Sequence, residues 1–284
     1  MNARKFFREY VLNIQQVMEP SAAVQVAETL LEHYSGVTRR QMILNPELML
    51  NPETIQPLEA ALLRLRQREP VQYITEMGWF YDMPFKVSPA VLIPRPETEE
   101  LVEKVIERCR SWEPLHILDV GTGSGCMAIT LKKQLPHASV TAIDVSKAAL
   151  EIAQYNAGQH HTVINFKELD FLNAYARLAL NSYSIIVSNP PYIPDEEKKI
   201  MDENVVRYEP HLALFASDHL VFYKALAVFG KTNLHPNGYI YCEIHQRYAD
   251  EVLKVFKTAG YRAVVHPDIS GNQRMVEATL THSR

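Results

Sequence analysis

The chain has 284 residues, 47% of them hydrophobic and 22% charged, with a formal net charge of -4. This composition suits one large globular domain or two smaller ones, and the slight negative balance gives no overall attraction to nucleic acid. Three widely spaced cysteines offer neither a disulfide framework nor a zinc spacing, so no metal site is expected. The N-terminus lacks a signal-peptide pattern, and no stretch approaches the roughly 18 uninterrupted apolar residues of a membrane span. We therefore expect a cytoplasmic protein without membrane attachment.

The first part of the chain predicts helices. Apolar residues recur at helical spacing from Phe7 to Met18 and again from Ala23 to Leu31, and residues 54–69 form a third amphipathic segment. Asn-Pro pairs before that segment indicate a turn region. We expect a small all-helical domain over residues 1–72.

The remainder predicts a different architecture. Residues 73–96 mix aromatic residues with Asp82 and Pro84, a pattern typical of a short β-hairpin followed by a proline-stiffened linker. From residue 97 to residue 284 strands alternate with helices, which indicates a mostly parallel sheet covered on both faces. The short turn 268–273 joins the last two strands, so the last strand is expected to be antiparallel.

A glycine-rich loop, LDVGTGSGC, follows the first strand of this sheet and contains Gly121, Gly123 and Gly125. In a doubly wound sheet this turn is where a nucleotide-like ligand meets backbone N–H groups, and a Cβ would block that approach. The alternative is a tight strand-to-helix turn that needs glycine for packing. A dinucleotide fingerprint would require a glycine where Cys126 stands, so hydride transfer is not favoured.

Acidic residues end the next two strands. Asp144 can accept hydrogen bonds from both hydroxyls of a ribose. Its alternative role, capping the following helix, is one that Ser146 is better placed to fill. Asp170 and Phe171 end the following strand, where they could hold and cover an adenine ring. These residues fit S-adenosylmethionine as readily as a nucleotide, so they indicate a cofactor and not a reaction.

The segment Asn189-Pro190-Pro191-Tyr192 follows the next buried strand. The Asn189 side-chain oxygen and the Pro190 carbonyl can each accept one N–H of a planar amino or amide group, which would favour a pyramidal nitrogen as charge develops. The prolines stiffen the segment and bring no competing N–H, and Tyr192 can stack on the acceptor. We predict a clamp for an NH₂ group attached to a flat system, with Asn189, Pro190 and Tyr192 as catalytic residues.

Several alternatives remain open at this point. Asn-Pro-Pro can be a simple turn. The same clamp fits the amino group of adenine, so an adenine-N6 methyltransferase acting on DNA or RNA is the second reading. A third reading is a noncatalytic, ribosome-associated binding module that has kept the pocket.

Most of the chain resembles the release-factor glutamine methyltransferases, the family also called PrmC or HemK. The likeness lies in FKVSPAVLIPRPETEELVE, ILDVGTGSG, AIDVSKAALEIAQYNA, IIVSNPPYIP, VRYEPHLALFA and DISGNQRMV. The resemblance implies a helical N-terminal domain and a class I methyltransferase domain with a Rossmann-like sheet. It also implies methyl transfer from S-adenosylmethionine to the side-chain amide (N5) of the glutamine in the Gly-Gly-Gln loop of class I peptide chain release factors, with S-adenosylhomocysteine as product.

The resemblance also implies roles for individual residues. The methionine end of the cofactor would lie along the loop residues Gly121, Thr122, Gly123, Ser124 and Gly125. Asp144 would bind the ribose, and Phe171 would contact the cofactor beside Asp170. Asn189 would meet both ligands, while Pro190, Pro191 and Tyr192 would hold the glutamine.

The remaining expectations concern partners and loops. The helical domain would dock the release factor, and no sequence-specific contact with nucleic acid is expected. One departure from the family pattern is His245, near which members usually have glycine. Glu209 and His211 are read as loop anchors, since no catalytic base is visible.

Overall fold

A computed structural model describes residues 1–281 of the chain. Contacts between Cα atoms divide it into two compact units. The first comprises Met1–Met77 and Asp202–Tyr208, and the second comprises Gly78–Met201 and the chain from Glu209 onward. The domain limits drawn from the sequence at 72 and 96 remain a prediction.

The helices of the described chain are, in order, α1 (Ala3–Ile14), α2 (Pro20–Ser35), α3 (Arg39–Leu44), α4 (Ile55–Arg66), α5 (Val71–Ile74), α6 (Pro96–Cys109), α7 (Cys126–Gln134), α8 (Lys147–Gln159), α9 (Glu203–Tyr208), α10 (His211–Leu214), α11 (Val221–Asn233) and α12 (Ala249–Thr258). The strands are β1 (Met77–Phe80), β2 (Met83–Lys86), β3 (His116–Val120), β4 (Ser139–Asp144), β5 (Asn165–Glu168), β6 (Tyr183–Ser188), β7 (Leu234–Glu243), β8 (Tyr261–Pro267) and β9 (Gln273–Leu280). No helix within residues 1–281 is both long and apolar enough to cross a membrane.

The first unit is helical, as the periodicity predicts. Its core consists of the apolar faces of α1, α2 and α4, and the Tyr10 hydroxyl donates a 2.6 Å hydrogen bond to the Leu58 carbonyl inside it. Helix α3 is missing from the sequence prediction. Thr38 and Gln41 form a reciprocal capping box at its start, so the T-x-x-Q spacing was the available signal. The segment Asp202–Tyr208 adds a hydrogen bond from the Tyr208 hydroxyl to the Gln67 carbonyl.

The second unit contains a seven-stranded sheet in the order β5-β4-β3-β6-β7-β9-β8. Strands β3 to β7 pair in parallel, and β9 is antiparallel to both β7 and β8. The predicted mostly parallel sheet with an antiparallel last strand is confirmed. Strand order reverses between β3 and β6, and ligands of such sheets bind in the crevice at that reversal.

The register of the central strands determines which residues meet at the carboxyl edge. Val120 of β3 pairs with Ile143 of β4 and Ser188 of β6, and Ser188 pairs with Cys242 of β7. The residue that follows each of these four lies in the next row, which therefore consists of Gly121, Asp144, Asn189 and Glu243. Three of these four are residues that the sequence had singled out.

Hydrophobic layers cover both faces of the sheet. Every residue of β6 is buried, as expected for a central parallel strand. Strands β1 and β2 form a separate two-stranded sheet, and Tyr81 and Asp82 between them have φ values of 54° and 57°. Such a two-residue connection with both φ values positive matches the twist of the flanking strands. Phe80 and Phe85 join the hairpin to the layer that contains α6.

Candidate active site

The glycine loop leaves β3 at Val120 and enters α7 at Cys126. Gly121, Gly123 and Gly125 have φ values of 76°, 55° and 81°, a left-handed conformation that strongly favours glycine. A Cβ on Gly125 would lie 3.1 Å from Ala153 Cβ and Ile129 Cδ1, so this glycine also serves packing. A Cβ on Gly121 or Gly123 would meet nothing within 4 Å, which leaves open space beside the loop for a ligand.

Hydrogen bonds to β4 fix the loop in place. The backbone N–H groups of Gly121 and Thr122 both donate to the Ile143 carbonyl, at 2.9 and 3.0 Å. Gly123 N–H donates to Asp144 Oδ2 at 2.9 Å. The neighbouring strand therefore holds the loop in shape.

Asp144 has both carboxylate oxygens on backbone donors. Oδ2 accepts from Gly123, and Oδ1 accepts from Ser146 N–H at 2.9 Å. Ser146, not Asp144, caps α8, because its side chain accepts from Ala149 N–H, as the sequence predicts. Burial raises the pKa of Asp144, while these backbone hydrogen bonds oppose the rise. Each oxygen retains a lone pair that can accept a further donor.

Asp119, one residue before the end of β3, was not predicted as a site residue. Its side chain is fully buried, Oδ2 accepts a 2.7 Å hydrogen bond from the Thr122 hydroxyl, and Oδ1 has no partner among the described residues. Burial raises its pKa to about 7, and the nearby Asp144 charge adds to the rise. Asp119 thus holds the glycine loop through Thr122, and burial of its carboxylate destabilises the fold when the group is ionised.

Asp170 and Phe171 follow β5. Leu169 N–H donates to the Asp144 carbonyl at 2.9 Å, which brings this segment beside the acid of β4. Asp170 Oδ1 accepts from Leu172 N–H at 2.9 Å, and the buried Phe171 ring packs edge-on against Phe229. Both residues line the same cleft as Asp144.

The Asn-Pro-Pro-Tyr segment leaves β6 at Ser188, whose hydroxyl donates to the Val120 carbonyl at 2.8 Å. Asn189 Nδ2 donates a 3.0 Å hydrogen bond to Thr98 Oγ1. Ile193 N–H then donates to the Leu214 carbonyl, and the Ile193 carbonyl accepts from Ala216 N–H at 3.0 Å. Backbone hydrogen bonds therefore fix the segment on the side that follows the prolines.

The buried residues Thr98 and Glu243 form a polar cluster with Asn189 and Tyr192, which are half-buried. The Thr98 hydroxyl donates to Glu243 Oε2 at 2.7 Å, and the Tyr192 hydroxyl donates to Oε1 at 2.8 Å. Glu243 is 2% exposed, and its burial raises its pKa, while the hydroxyl donors and the charge of Arg274 oppose that rise. Burial also raises the pKa of Tyr192 well above its ordinary value. Sequence reasoning missed Thr98 and Glu243.

Arg95 and Glu209 connect two walls of the cleft. Glu209 is buried, and its carboxylate accepts hydrogen bonds from the Arg95 guanidinium and, at 3.4 Å, from Ile93 N–H. This places Glu209 as a loop anchor, in line with the sequence prediction. His245, the departure from the family pattern, begins the turn 246–248 with φ -74° and accepts from Arg247 N–H, so that turn does not need glycine there.

One cleft of about 720 Å³ brings most of the predicted residues together. This volume lies within the range of about 300–1,000 Å³ that is usual for small-molecule sites. The predicted residues that line it are Gly121, Thr122, Gly123, Ser124, Asp144, Asp170, Phe171, Asn189, Pro190 and Pro191. Gly125 and Tyr192 do not line it, because Gly125 packs against α8 and the Tyr192 hydroxyl points to Glu243. Arg95, Thr98 and Leu92 line it without having been predicted.

The cleft fits the cofactor that the sequence resemblance implies. The open space beside Gly121 and Gly123 allows close approach to backbone N–H groups, which suits a flexible polar chain. Asp144 offers carboxylate lone pairs at a strand end, as a ribose diol requires, and the buried Phe171 offers an apolar surface. The lining residues therefore agree with the chemistry of S-adenosylmethionine.

The sheet order, the glycine loop at the reversal of that order and the acid that ends the next strand define a class I methyltransferase domain. Comparison with known families agrees: residues 98–213 match the Methyltransferase small domain, and residues 13–75 match the PrmC N-terminal domain.

Similar proteins of known family identify the family within this class. A release factor glutamine methyltransferase of Flavobacterium psychrophilum is 39% identical, with 99% of this chain and 100% of that protein covered. Those of Bacteroides thetaiotaomicron (37% identical, covering 94% of this chain and 96% of that one) and Chlorobaculum tepidum (43%, covering 80% of each) are similar over slightly less of the chain. The chain belongs to the release factor glutamine methyltransferase family.

Proposed function

We propose that this protein transfers a methyl group from S-adenosylmethionine to the side-chain amide nitrogen of the glutamine in the Gly-Gly-Gln loop of class I peptide chain release factors. The observation that carries the proposal is the single cleft in which Asn189, Pro190 and Pro191 stand beside the glycine loop and Asp144. Membership of the family supports the choice of a protein amide over the amino group of adenine.

An amide nitrogen is a poor nucleophile because its lone pair is delocalised into the carbonyl group. In the proposal, Asn189 Oδ1 and the Pro190 carbonyl accept the two N–H groups and hold the amide in one orientation. These acceptors also stabilise the positive charge that develops on nitrogen as the new bond forms. Pro190 and Pro191 lack an N–H and therefore cannot compete for the acceptors.

The cofactor, when bound along the glycine loop, supplies a methyl group on a positively charged sulfur. The amide nitrogen forms the new N–C bond, the electrons of the broken S–C bond stay with sulfur, and the nitrogen releases one proton. The products are an N5-methylglutamine side chain, S-adenosylhomocysteine and a proton. Before that release, the methylated nitrogen carries a positive charge and both of its protons, which makes it strongly acidic, so solvent suffices to take one proton.

The partner in the proposal is a folded protein, and the helical unit that matches the PrmC N-terminal domain is the candidate docking domain. Because class I release factors act on cytoplasmic ribosomes, the proposal places the enzyme in the cytoplasm.

The test uses the full-length protein, labelled cofactor and a purified release factor. We expect one methyl per release factor, located by mass spectrometry on the loop glutamine, and no incorporation when that glutamine is replaced by alanine. Undiminished label on the alanine variant would show that another group is the acceptor. Methylation of adenine in an oligonucleotide, with none in the release factor, would favour the nucleic-acid reading instead.

A further inference from the structure

The hydrogen bonds around the buried Glu243 have a defined direction. A carboxylate only accepts hydrogen bonds, and Glu243 receives one from the Tyr192 hydroxyl and one from the Thr98 hydroxyl. Burial raises the pKa of Glu243, but both hydroxyl donors and the nearby positive charge of Arg274 oppose that rise and favour the ionised form of this carboxyl group. Both hydroxyl protons therefore point towards Glu243.

This direction determines how Asn189 is oriented. The Thr98 hydroxyl has a single proton, and once that proton is given to Glu243 the oxygen can only accept. Only the NH₂ end of the Asn189 amide can donate to it, at the observed 3.0 Å. The carbonyl end of the amide is then left for another donor, and Asn189 lines the cleft.

The opposite orientation would disable the clamp. If the Asn189 amide were rotated by half a turn about its last side-chain bond, its NH₂ end would face the NH₂ group that is to be methylated. Two N–H donors would then oppose each other, and the Asn189 carbonyl would face Thr98. The two orientations have nearly the same shape, so packing alone selects weakly between them. The Thr98 oxygen selects strongly, because it can only accept a hydrogen bond and therefore requires the NH₂ end of Asn189.

We propose that Thr98 and Glu243 are positioning residues that fix the Asn189 amide with its carbonyl oxygen towards the methyl acceptor. The inference rests on the proposed function, since it assigns Asn189 the task of accepting an N–H from the substrate. Neither residue needs to touch the substrate for this effect. Tyr192 contributes the second donor, so that each oxygen of Glu243 accepts one hydroxyl group.

Variants at Thr98 separate this role from a packing role. Thr98→Val keeps the shape and removes the hydroxyl, whereas Thr98→Ser keeps the hydroxyl and removes the methyl. A matched control is Thr130→Val: Thr130 is also fully buried, lies on α7, and its hydroxyl has no partner among the described residues. We expect Thr98→Val to lower kcat about 10–100-fold. The KM for the release factor and the Kd for the cofactor should change less than about two-fold, because binding contacts stay in place.

The control variants should keep nearly wild-type turnover. Thr98→Ser should retain kcat within a few-fold of the wild type, and Thr130→Val should match it. Glu243→Gln tests the same hydrogen bond from its other end, because an amide can donate to Thr98 and reverse the hydroxyl, so its kcat should fall as well. If Thr98→Val fails to fold, Glu243→Gln decides the question.

A measurement independent of turnover is the NMR signal of the Asn189 side-chain NH₂ group, assigned by its loss in Asn189→Ala. The signal should shift in Thr98→Val and stay in place in Thr98→Ser. Wild-type kcat in both Thr98→Val and Glu243→Gln, or an unshifted signal in Thr98→Val, would overturn the positioning role. A wild-type enzyme that leaves the release-factor glutamine unmethylated would instead refute the proposed function, and the NMR result would still report on the hydrogen bond.

Discussion

The side-chain amide of Asn156 donates a 2.8 Å hydrogen bond to the Ser124 carbonyl and so connects α8 to the glycine loop. The same amide accepts from Lys86 N–H at 2.7 Å and donates to the Lys86 carbonyl at 3.0 Å. One buried side chain thus satisfies three backbone groups of two segments that are far apart in sequence.

Replacing Asn156 by Leu should destabilise the protein and loosen the loop. Three backbone groups would lose their partner, and we expect the free energy of unfolding to fall by about 2–3 kcal/mol, as measured by urea denaturation. Cofactor binding, measured by calorimetry, should weaken as well. The control is Gln154→Leu on the exposed face of the same helix, which should change neither quantity appreciably. Equal stability of the two variants would contradict this account of the loop.

Asn189→Ala should lower turnover far more than cofactor affinity. Its carbonyl acts on the reacting amide in the proposed mechanism, so we expect kcat to fall roughly 10²–10³-fold. The Kd for the cofactor should stay near the wild-type value in calorimetry. The exposed Asn165 of β5 gives a control, since Asn165→Ala should leave both unchanged. Comparable losses of kcat and cofactor affinity would argue against the clamp.

Asp144→Ala should act chiefly on cofactor binding. It removes the carboxylate that we propose binds the ribose, and that carboxylate also accepts hydrogen bonds from the Gly123 and Ser146 N–H groups. Because hydrogen bonds to charged groups contribute about 1.5–3 kcal/mol, the Kd should rise roughly 10–100-fold. The control Asp250→Ala changes an exposed acid that does not line the cleft. An unchanged Kd in Asp144→Ala would remove this residue from the cofactor site.

Asp119 predicts a pH dependence of stability. Its folded-state pKa of about 7 lies above its ordinary value of 3.8, so the folded protein binds the proton more tightly than the unfolded chain does. The stability of the wild type relative to Asp119→Asn should therefore fall as pH rises from about 4 to about 7, by roughly 1.4 kcal/mol per pH unit, and level off above that. Urea unfolding of both proteins at pH 5, 6, 7 and 8 measures the difference. A difference that is constant over this range would show that Asp119 titrates normally.

Local sequence patterns were enough to predict the site residues at the carboxyl ends of individual strands. Gly121 and Asn189 follow their strands and Asp144 ends its own, and parallel strands bring such residues to one edge. Thr98 and Glu243 were missed because their meeting depends on how the start of α6 packs against the end of β7, and the two are 145 residues apart. The topology contained a partial signal, since Glu243 ends the strand next to β6.

Side-chain direction was the other limit of the sequence reasoning. Tyr192 was expected to stack on the substrate, but its hydroxyl is bound to Glu243 and the residue does not line the cleft. Its stacking role therefore remains a prediction. Gly125 was assigned to the cofactor, yet it is the one glycine of the loop that packs tightly against α8. Spacing alone could not distinguish a glycine needed for a ligand from one needed for a helix.

Asp144 and Asn189 stand in one row of the sheet with a single strand, β3, between their own strands. Neighbouring strands are about 4.8 Å apart, so main-chain hydrogen bonding sets the interval between the two backbones at roughly 10 Å. Amino-acid replacements at either position change which chemical group is held there, but they leave that interval alone. In the proposed mechanism, side-chain changes at Asn189 can therefore select a different methyl acceptor, while the distance between the Asp144 and Asn189 backbones stays the same.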